Sequence, residues 1–295
     1  LKSLSIVDFK NFEQAEIQFS PKLNCFLGDN GAGKTNLLDA IYYLSFTKSY
    51  FNALDSANIR HGGDFFILQA KFQRSDDEEM VSCGFKNGQK KQFKRNSKVY
   101  KKLSEHIGIY PLVMISPADQ VLVLGGSDER RRFMDSVISQ YDRAYLETLI
   151  SYNRVLQQRN VLLKQFAENR TFDQVTLSVY DDQLAALAQP IFQKRSDYVK
   201  QLIPVFQNYY TLVSGGKEVV ALEYQSDLCD NDFSALLEAQ WPKDRALQFT
   251  SVGIHKDDLL LKLGEYPIKK MGSQGQTKTY LVALKLAQFN FLKQL

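Results

Sequence analysis

Two kinds of hydrophobic periodicity divide the chain into a strand-rich first part and a helix-rich middle part. Alternating polar and apolar positions predict strands at residues 2–9, 15–19, 65–73, 79–86 and 110–115. From about residue 127 to residue 210, apolar residues recur at three- and four-residue steps, which predicts long amphipathic helices. Strand character returns at residues 219–224 and 258–263, and a buried helix is expected from about Thr277.

The helical part contains two apolar stripes separated by a polar connection at residues 169–174. The second stripe is predicted to be interrupted at Pro190 and to end near Pro204, because proline disfavours the helix interior. This order of elements predicts an α/β fold, with a helical subdomain at 127–213 inserted into a discontinuous domain made of 1–126 and 214–295.

Residues 28–35 read GDNGAGKT, the full pattern of a phosphate-binding loop. The apolar run 23–27 predicts a strand before the loop, and the spacing in 36–44 predicts a helix after it. Glycines let the backbone approach phosphates, and the start of a helix offers them free N–H groups. A glycine-rich turn that merely caps a helix is the alternative, which the complete match between strand and helix disfavours.

Within this motif, Lys34 is expected to pair with the β- and γ-phosphates, and the Thr35 hydroxyl is expected to bind Mg²⁺. The sequence therefore predicts a site for a nucleotide with Mg²⁺. The predicted binding residues are Gly28, Asp29, Asn30, Gly31, Ala32, Gly33, Lys34, Thr35 and Asn36.

Composition and charge narrow the class of protein. The chain is 44% hydrophobic and 24% charged, as in soluble globular proteins, and has no apolar stretch of membrane-helix length. Cys25, Cys83 and Cys229 are odd in number and lack metal-ligand spacing. Together with the lack of a signal peptide at the start, these features predict a cytoplasmic protein without structural disulfides.

The net charge of +4 is mild, but basic residues concentrate between Lys86 and Lys102, where eight occur without an acid. Asn87-Gly88 predicts a hairpin turn in this segment. Such a basic hairpin is suited to contact nucleic-acid phosphates, and a solvated edge strand protected by lysines is the alternative. The hairpin candidates for DNA contact are Lys90, Lys91, Lys94 and Arg95.

A second motif, residues 272–276 (GSQGQ), opens the last predicted helix. By itself it is explained by a serine that caps a helix. Paired with a distant phosphate loop, it resembles the ABC-type ATPase head. That resemblance implies that Ser273, Gly275 and Gln276 contact the γ-phosphate of a nucleotide bound to the opposite subunit, so that ATP joins two protomers.

Four segments then resemble the RecF family of bacterial recombination mediators, nearly from end to end. They are LKSLSIVDFKNFEQAEIQF, GDNGAGKTNLLDAIYYLSFTKSYF, SPADQVLVLGGSDERRRFMDSVISQYD and GIHKDDLLLKLGEYPIKKMGSQGQTKT. The last two are the more distinctive, because a phosphate loop occurs in many unrelated ATPases.

This resemblance implies an ABC-type P-loop ATPase head (lobe I) with an inserted helical lobe II. It implies an ATP-dependent homodimer on double-stranded DNA at single-strand/double-strand junctions, weak DNA-stimulated ATP hydrolysis, and work with RecR and RecO to load RecA. An SMC-like structural head is the alternative, which the short insertion disfavours. A transporter ATPase is a third option, opposed by the basic hairpin and by Gln274, where transporters have glycine.

Some positions depart from the family pattern or stay open. Thr277-Lys278 stands where the family has Gln-Arg, and a glutamine that positions Mg²⁺ has three possible counterparts: Ser116, Asp119 and Gln120. The resemblance implies catalytic acids after the last helix, beyond Leu295. A polypeptide that ends there is therefore expected not to hydrolyse ATP.

Charged residues near the two distinctive segments have no assigned role. Arg130, Arg131 and Arg132 stand at a predicted helix start, which suits a phosphate or an acidic partner. Arg130 and Arg131 are the candidates for DNA contact, and salt bridges from this run to Asp128 and Asp135 are the alternative. His255 is suited either to ligand contact or to a polar turn. Asp257 and Asp258 are adjacent, so a strand would direct them to opposite faces and away from one shared ion.

Overall fold

The computed structural model describes residues 1–74, 77–229 and 231–294, which pack as two compact units, Leu1–Leu112 and Val113–Leu295. The predicted boundaries at 126/127 and 213/214 do not coincide with this division. The last helix packs within the second unit against the long helices, because its buried face is shared with them. The discontinuous domain stays a prediction.

The first unit is built on a six-stranded antiparallel sheet in the order β2-β1-β3-β4-β5-β6. Alternate residues of β1, β3 and β4 point inward, as the pleat requires, and helix α1 packs on that face. The elements are β1 Ser3–Phe9, β2 Phe12–Gln18, α1 Lys34–Phe46, β3 Phe65–Arg74, β4 Asp77–Lys86, β5 Gln92–Arg95 and β6 Lys98–Val99. Their core is aromatic and aliphatic, with Phe9, Tyr43, Phe66 and Phe93 fully covered.

The second unit contains a three-stranded antiparallel sheet, β7-β8-β9, against which two of its longer helices pack. Helices α4 and α5 form the predicted hairpin, and α9 packs against α5. The helices are α2 Gln120–Leu124, α3 Ser127–Tyr141, α4 Arg143–Asn169, α5 Gln174–Ser214, α6 Phe233–Ala239, α7 Trp241–Leu247, α8 Ile268–Met271 and α9 Gln274–Gln294. The strands are β7 Val220–Gln225, β8 Asp258–Leu263 and β9 Tyr266–Pro267.

Two predicted strands are wrong. Residues 23–27 and 110–115 are not strands, because an apolar run forms a strand only where a neighbouring strand pairs with its backbone. Leu23 and Leu27 are 79% and 94% exposed. Ser20 forms hydrogen bonds with Leu23 and Asn24, so the chain makes a local turn at residues 20–24. Tyr110 is instead buried in the first core, where its hydroxyl donates to the Glu79 carboxylate.

The predicted break at Pro190 and end at Pro204 are also wrong, since α5 continues through both prolines to Ser214. A proline inside a helix costs about 3 kcal/mol. Burial offsets this cost, because α5 places a continuous apolar stripe, including Leu184, Val199 and Phe206, in the core between α4 and α9.

Candidate nucleotide-binding site

The phosphate loop, residues 28–33, leads directly into α1, which begins at Lys34. Gly31 and Gly33 have φ angles of 87° and 100°, in the left-handed region that favours glycine. Ala32 N–H donates to the Asp29 carbonyl at 3.2 Å and closes a turn in the loop. The sequence prediction of a glycine-rich loop at a helix N-terminus is thus confirmed, although the described residues 23–27 before it are not a strand.

The Lys34 ammonium is held inside this loop. Its Nζ donates to the carbonyls of Gly28 and Asp29 at 2.6 and 2.7 Å. Because these are bonds to neutral carbonyls, an anionic phosphate would be a stronger partner for the same ammonium. The loop therefore places a cation beside the first N–H groups of α1, an arrangement suited to an anion.

Thr35 is exposed in the first turn of α1, and Asn36 is half-buried there. The motif predicts the Thr35 hydroxyl as a ligand for Mg²⁺, and Thr35 is the second residue of α1. Among the described residues no group of three or more His, Cys, Asp or Glu side chains is placed to hold a metal ion. A magnesium ion here would thus take oxygen ligands from the nucleotide and water as well as from Thr35.

The turn between β1 and β2 makes a contact with α1 that the sequence does not predict. Lys10 Nζ forms an ion pair with the buried Asp39 of α1 at 2.5 Å, and Ser49 Oγ donates to the same carboxylate at 2.6 Å. The pairing ties the turn to the helix that follows the phosphate loop.

The signature motif caps α9. Ser273 Oγ accepts from Gln276 N–H at 3.2 Å, while Ser273 N–H donates to Gln276 Oε1 at 2.7 Å, which is a capping box. Gln276 Nε2 donates to Glu218 at 2.5 Å. The hydrogen bonds that Glu218 accepts from Tyr210 and Gln276 lower the pKa of its carboxyl group. Ser273 and Gly275 are exposed at this helix end, so the capping role and a contact to an external anion are compatible.

The basic hairpin is confirmed as β4, the Asn87-Gly88 turn and β5, near the edge of the sheet. Its cations differ in their surroundings. Lys91 Nζ binds the Thr47 carbonyl at 2.6 Å and the Asp55 carboxylate at 2.9 Å. Arg95 pairs with Glu79, so both of these predicted DNA candidates are engaged within the fold.

Lys90 and Lys94 have no ion pair within the described part of the chain. Lys90 is exposed and Lys94 is half-buried, and Lys98, Lys101 and Lys102 add exposed cations in the same segment. The hairpin segment thus keeps a basic surface. Of the four predicted residues, Lys90 and Lys94 contribute to it, whereas Lys91 and Arg95 are engaged within the fold.

Arg130 and Arg131 are anchored inside the second unit. Arg130 is 3% exposed and donates to Asp258, and Arg131 donates to the Asp257 carbonyl at 2.6 Å. The intramolecular alternative is correct. Arg130 and Arg131 bind Asp258 and the Asp257 backbone, and the predicted acid Asp128 pairs with Arg132 at 3.1 Å. A buried guanidinium has no access to a DNA phosphate, so the candidate role of Arg130 is corrected.

His255 and Asp257 belong to a buried polar network. The His255 ring lies between the Tyr152 hydroxyl at 2.9 Å and the Thr250 carbonyl at 3.0 Å. Burial lowers the pKa of His255 to about 4 and raises the pKa of Asp257. Asp257 accepts from the buried Arg195 at 2.8 Å, which makes this network a structural support for the loop before β8.

Three residues are candidates for the role of the magnesium-positioning glutamine: Ser116, Asp119 and Gln120. Two of them have structural roles in the fold. Ser116 and Asp119 form a capping box, and Asp119 pairs at 3.3 Å with Lys285 of α9. Burial lowers the pKa of Lys285. Gln120 is half-buried at the start of α2, so the choice among the three stays open.

Comparison with known proteins identifies the fold class of this chain. A family model described as an AAA domain matches residues 3–212. The head of an Smc protein bound to the C-winged helix domain of ScpA superposes with a TM-score of 0.56 at 15% identity, covering 98% of this chain and 76% of that one. The fold is therefore that of an ABC-type P-loop ATPase head.

Closer relatives define the family. "DNA replication and repair protein RecF" of Phocaeicola vulgatus is 54% identical over 295 residues, which are 100% of this chain and 79% of the relative. The protein of the same name from Flavobacterium johnsoniae is 52% identical over 294 residues and is covered to 82%. The solved recombination mediator protein RecF with ATP, in the RecFOR pathway, has a TM-score of 0.94 at 26% identity, over 99% of this chain and 81% of that one. The chain belongs to the RecF family.

Among the described helices, none combines the length and apolarity needed to cross a membrane.

Proposed function

We propose that this protein is an ATP-binding DNA replication and repair protein whose nucleotide site is formed by residues 28–36. The observation that carries the proposal is that the first residue of α1, Lys34, has its ammonium held by the phosphate loop, in a chain 54% identical to a RecF. A bound nucleotide would replace the carbonyls of Gly28 and Asp29 as partners of the Lys34 ammonium. Mg²⁺, held by Thr35 and the phosphates, would neutralise their charge.

ATP then acts as the link between two copies of the chain. The exposed Ser273 and Gly275 at the start of α9 form a second helix N-terminus, which is suited to the γ-phosphate bound by a partner protomer. ADP lacks that phosphate, so only ATP would close the dimer. Weak, DNA-stimulated hydrolysis would reopen it, and no catalytic acid is assigned within 1–295.

Double-stranded DNA beside a single-strand gap is the proposed substrate of the closed dimer, and RecR, with RecO, is the proposed partner in loading RecA. The exposed lysines of the basic hairpin support a phosphate contact that does not depend on base sequence. Two relatives support DNA repair over other ATPase functions. One is named a DNA replication and repair protein, and the other is a solved RecF of the RecFOR pathway.

The test compares Lys34→Ala with Lys200→Ala, an exposed lysine on α5. Fluorescence anisotropy measures the affinity for a labelled ATP analogue and, separately, for duplex DNA with and without ATP. Lys34→Ala is expected to weaken nucleotide affinity at least tenfold, because it removes charge-assisted bonds worth about 1.5–3 kcal/mol each, and to abolish the ATP effect on DNA binding. Wild-type affinity in Lys34→Ala would refute the proposed site.

A further inference from the structure

Asn11, at the tip of the β1–β2 turn, contacts the phosphate loop at Gly31 and Gly33 and the first turn of α1 at Asn36. Its Nδ2 donates to the Gly31 carbonyl at 3.4 Å, and its Oδ1 accepts from Asn36 Nδ2 at 2.7 Å. A Cβ atom built on Gly33 would lie 2.7 Å from Asn11 Nδ2 and 2.9 Å from the Phe12 ring. The side-chain amide of Asn11 therefore covers Gly33 and joins the loop to the first turn of α1.

One of these contacts engages a loop carbonyl, that of Gly31. A phosphate-binding loop must turn N–H groups toward the anion, so its carbonyl oxygens need partners elsewhere. Lys34 supplies them for Gly28 and Asp29, and Asn11 supplies one for Gly31. Each of these three carbonyls thus has a side-chain partner within the first unit.

The turn that carries Asn11 is itself fixed. Lys10 binds the buried Asp39 one turn further along α1, and its ammonium also lies 5.3 Å from the centre of the Phe51 ring. Adjacent residues of one turn thus hold two successive turns of the same helix. A side chain on a fixed turn can order a glycine-rich loop, whereas a side chain on a mobile turn would move with it.

We propose that Asn11 is a positioning residue that presets the phosphate loop for nucleotide binding. The inference rests on the proposed nucleotide function and adds a residue outside the loop motif. The bound phosphates are contacted by the loop, and Asn11 acts through Gly31, Gly33 and Asn36. Its loss lowers the fraction of molecules in the binding-competent conformation, which weakens apparent affinity by that fraction.

The experiment uses the whole chain with Asn11→Ala, and Asn87→Ala in the exposed β4–β5 turn as the matched control. Hydrogen exchange without nucleotide is expected to accelerate in peptides covering 28–37 and to stay unchanged in β3 and β4. Affinities for fluorescent ATP and ADP analogues should both fall about five- to thirtyfold, the range expected for loss of one or two hydrogen bonds. Stopped-flow measurement should place the change in the association rate, because preorganisation is lost before binding.

A double-mutant cycle with Asn36→Ala isolates the pair, since coupled residues give non-additive effects. Additive losses would overturn the inference, as would wild-type affinity in Asn11→Ala. Faster exchange across the whole sheet would also overturn it, because Asn11 would then support the fold in general. If Lys34→Ala weakens binding while Asn11→Ala does not, the nucleotide function stands and only the positioning role fails.

Discussion

Arg130 and Asp258 form a bidentate ion pair, with Nε and Nη2 of the arginine donating to the two carboxylate oxygens at 2.6 and 2.9 Å. Arg130 Nη1 also donates to the Gly125 carbonyl at 2.9 Å, so the guanidinium is fully engaged inside the second unit. The pair joins the start of α3 to the start of β8. The side chain of Arg130 is 4% exposed.

We therefore expect Arg130→Ala to lower the free energy of unfolding by about 3 kcal/mol, because it leaves the Asp258 carboxylate without its partner. Chemical denaturation monitored by circular dichroism measures the change. Arg132→Ala is the control, since Arg132 is exposed and its ion pairs among the described residues are with two acids of its own helix. These pairs are expected to contribute less than about 1 kcal/mol. Full stability together with weakened DNA binding in Arg130→Ala would instead favour the DNA role.

Replacing Lys90, Lys94 and Lys98 with glutamate is expected to weaken binding to duplex DNA of any sequence. The slope of log affinity against log salt should fall by about 0.9 for every phosphate that the variant no longer neutralises. Anisotropy titrations across a series of salt concentrations measure the slope. The matched control reverses three exposed lysines of the helical part, Lys164, Lys200 and Lys243. Equal slopes in the two triple variants would assign the hairpin to a solvated sheet edge.

Lys91 separates stability from DNA contact within the same hairpin. Its ammonium bonds to Thr47 and Asp55 are internal, so we expect Lys91→Met to reduce the melting temperature of the first unit while the salt slope is kept. Differential scanning fluorimetry and the same titrations distinguish the two effects. A flattened slope at unchanged melting temperature would contradict the structural role of Lys91.

Ser273→Asp is expected to prevent ATP-dependent dimerisation. Aspartate caps a helix as well as serine does, so α9 should keep its N-terminus, while the added carboxylate repels a γ-phosphate. Ser273→Asn is the neutral control that also caps. Sedimentation with ATP or ADP measures dimerisation, and the ATP affinity of the monomer should stay within about twofold of wild type. Dimerisation of Ser273→Asp equal to that of Ser273→Asn would argue against the shared site.

His255 should make stability depend on pH. Burial lowers its pKa in the folded state to about 4, below the value of an unfolded chain, so unfolding takes up a proton between these values. The contribution of His255 to the free energy of unfolding is fully present above pH 6.5 and is lost as the pH falls toward 4. Between pH 7 and pH 5 the free energy of unfolding should fall by about 2 kcal/mol.

The difference between wild type and His255→Gln isolates this contribution from other groups, including Asp257, whose pKa burial raises. Urea denaturation at several pH values between 4.5 and 7.5 measures it. A difference in free energy that is independent of pH would show that His255 is not held neutral by its surroundings.

Local pattern predicted the parts of this protein that depend on neighbours in sequence. The phosphate loop, the basic hairpin and the capping serine each follow from residues within one turn, and the antiparallel strands follow from alternation over a few residues. The family was also evident from sequence, because the segments around Arg130 and Ser273 are distinctive as strings of residues.

The tertiary structure decided which polar groups are available. Arg130 and Lys91 look like free cations in sequence, but their partners lie 128 and 36 residues away, at Asp258 and Asp55. Tertiary contacts also decided two backbone features. Residues 23–27 are apolar but do not form a strand, and α5 continues through Pro190 because packing outweighs the local cost of proline. Sequence specifies local backbone preference and charge, whereas burial and pairing arise from contacts between distant segments, and these contacts determine which side chains can bind a ligand.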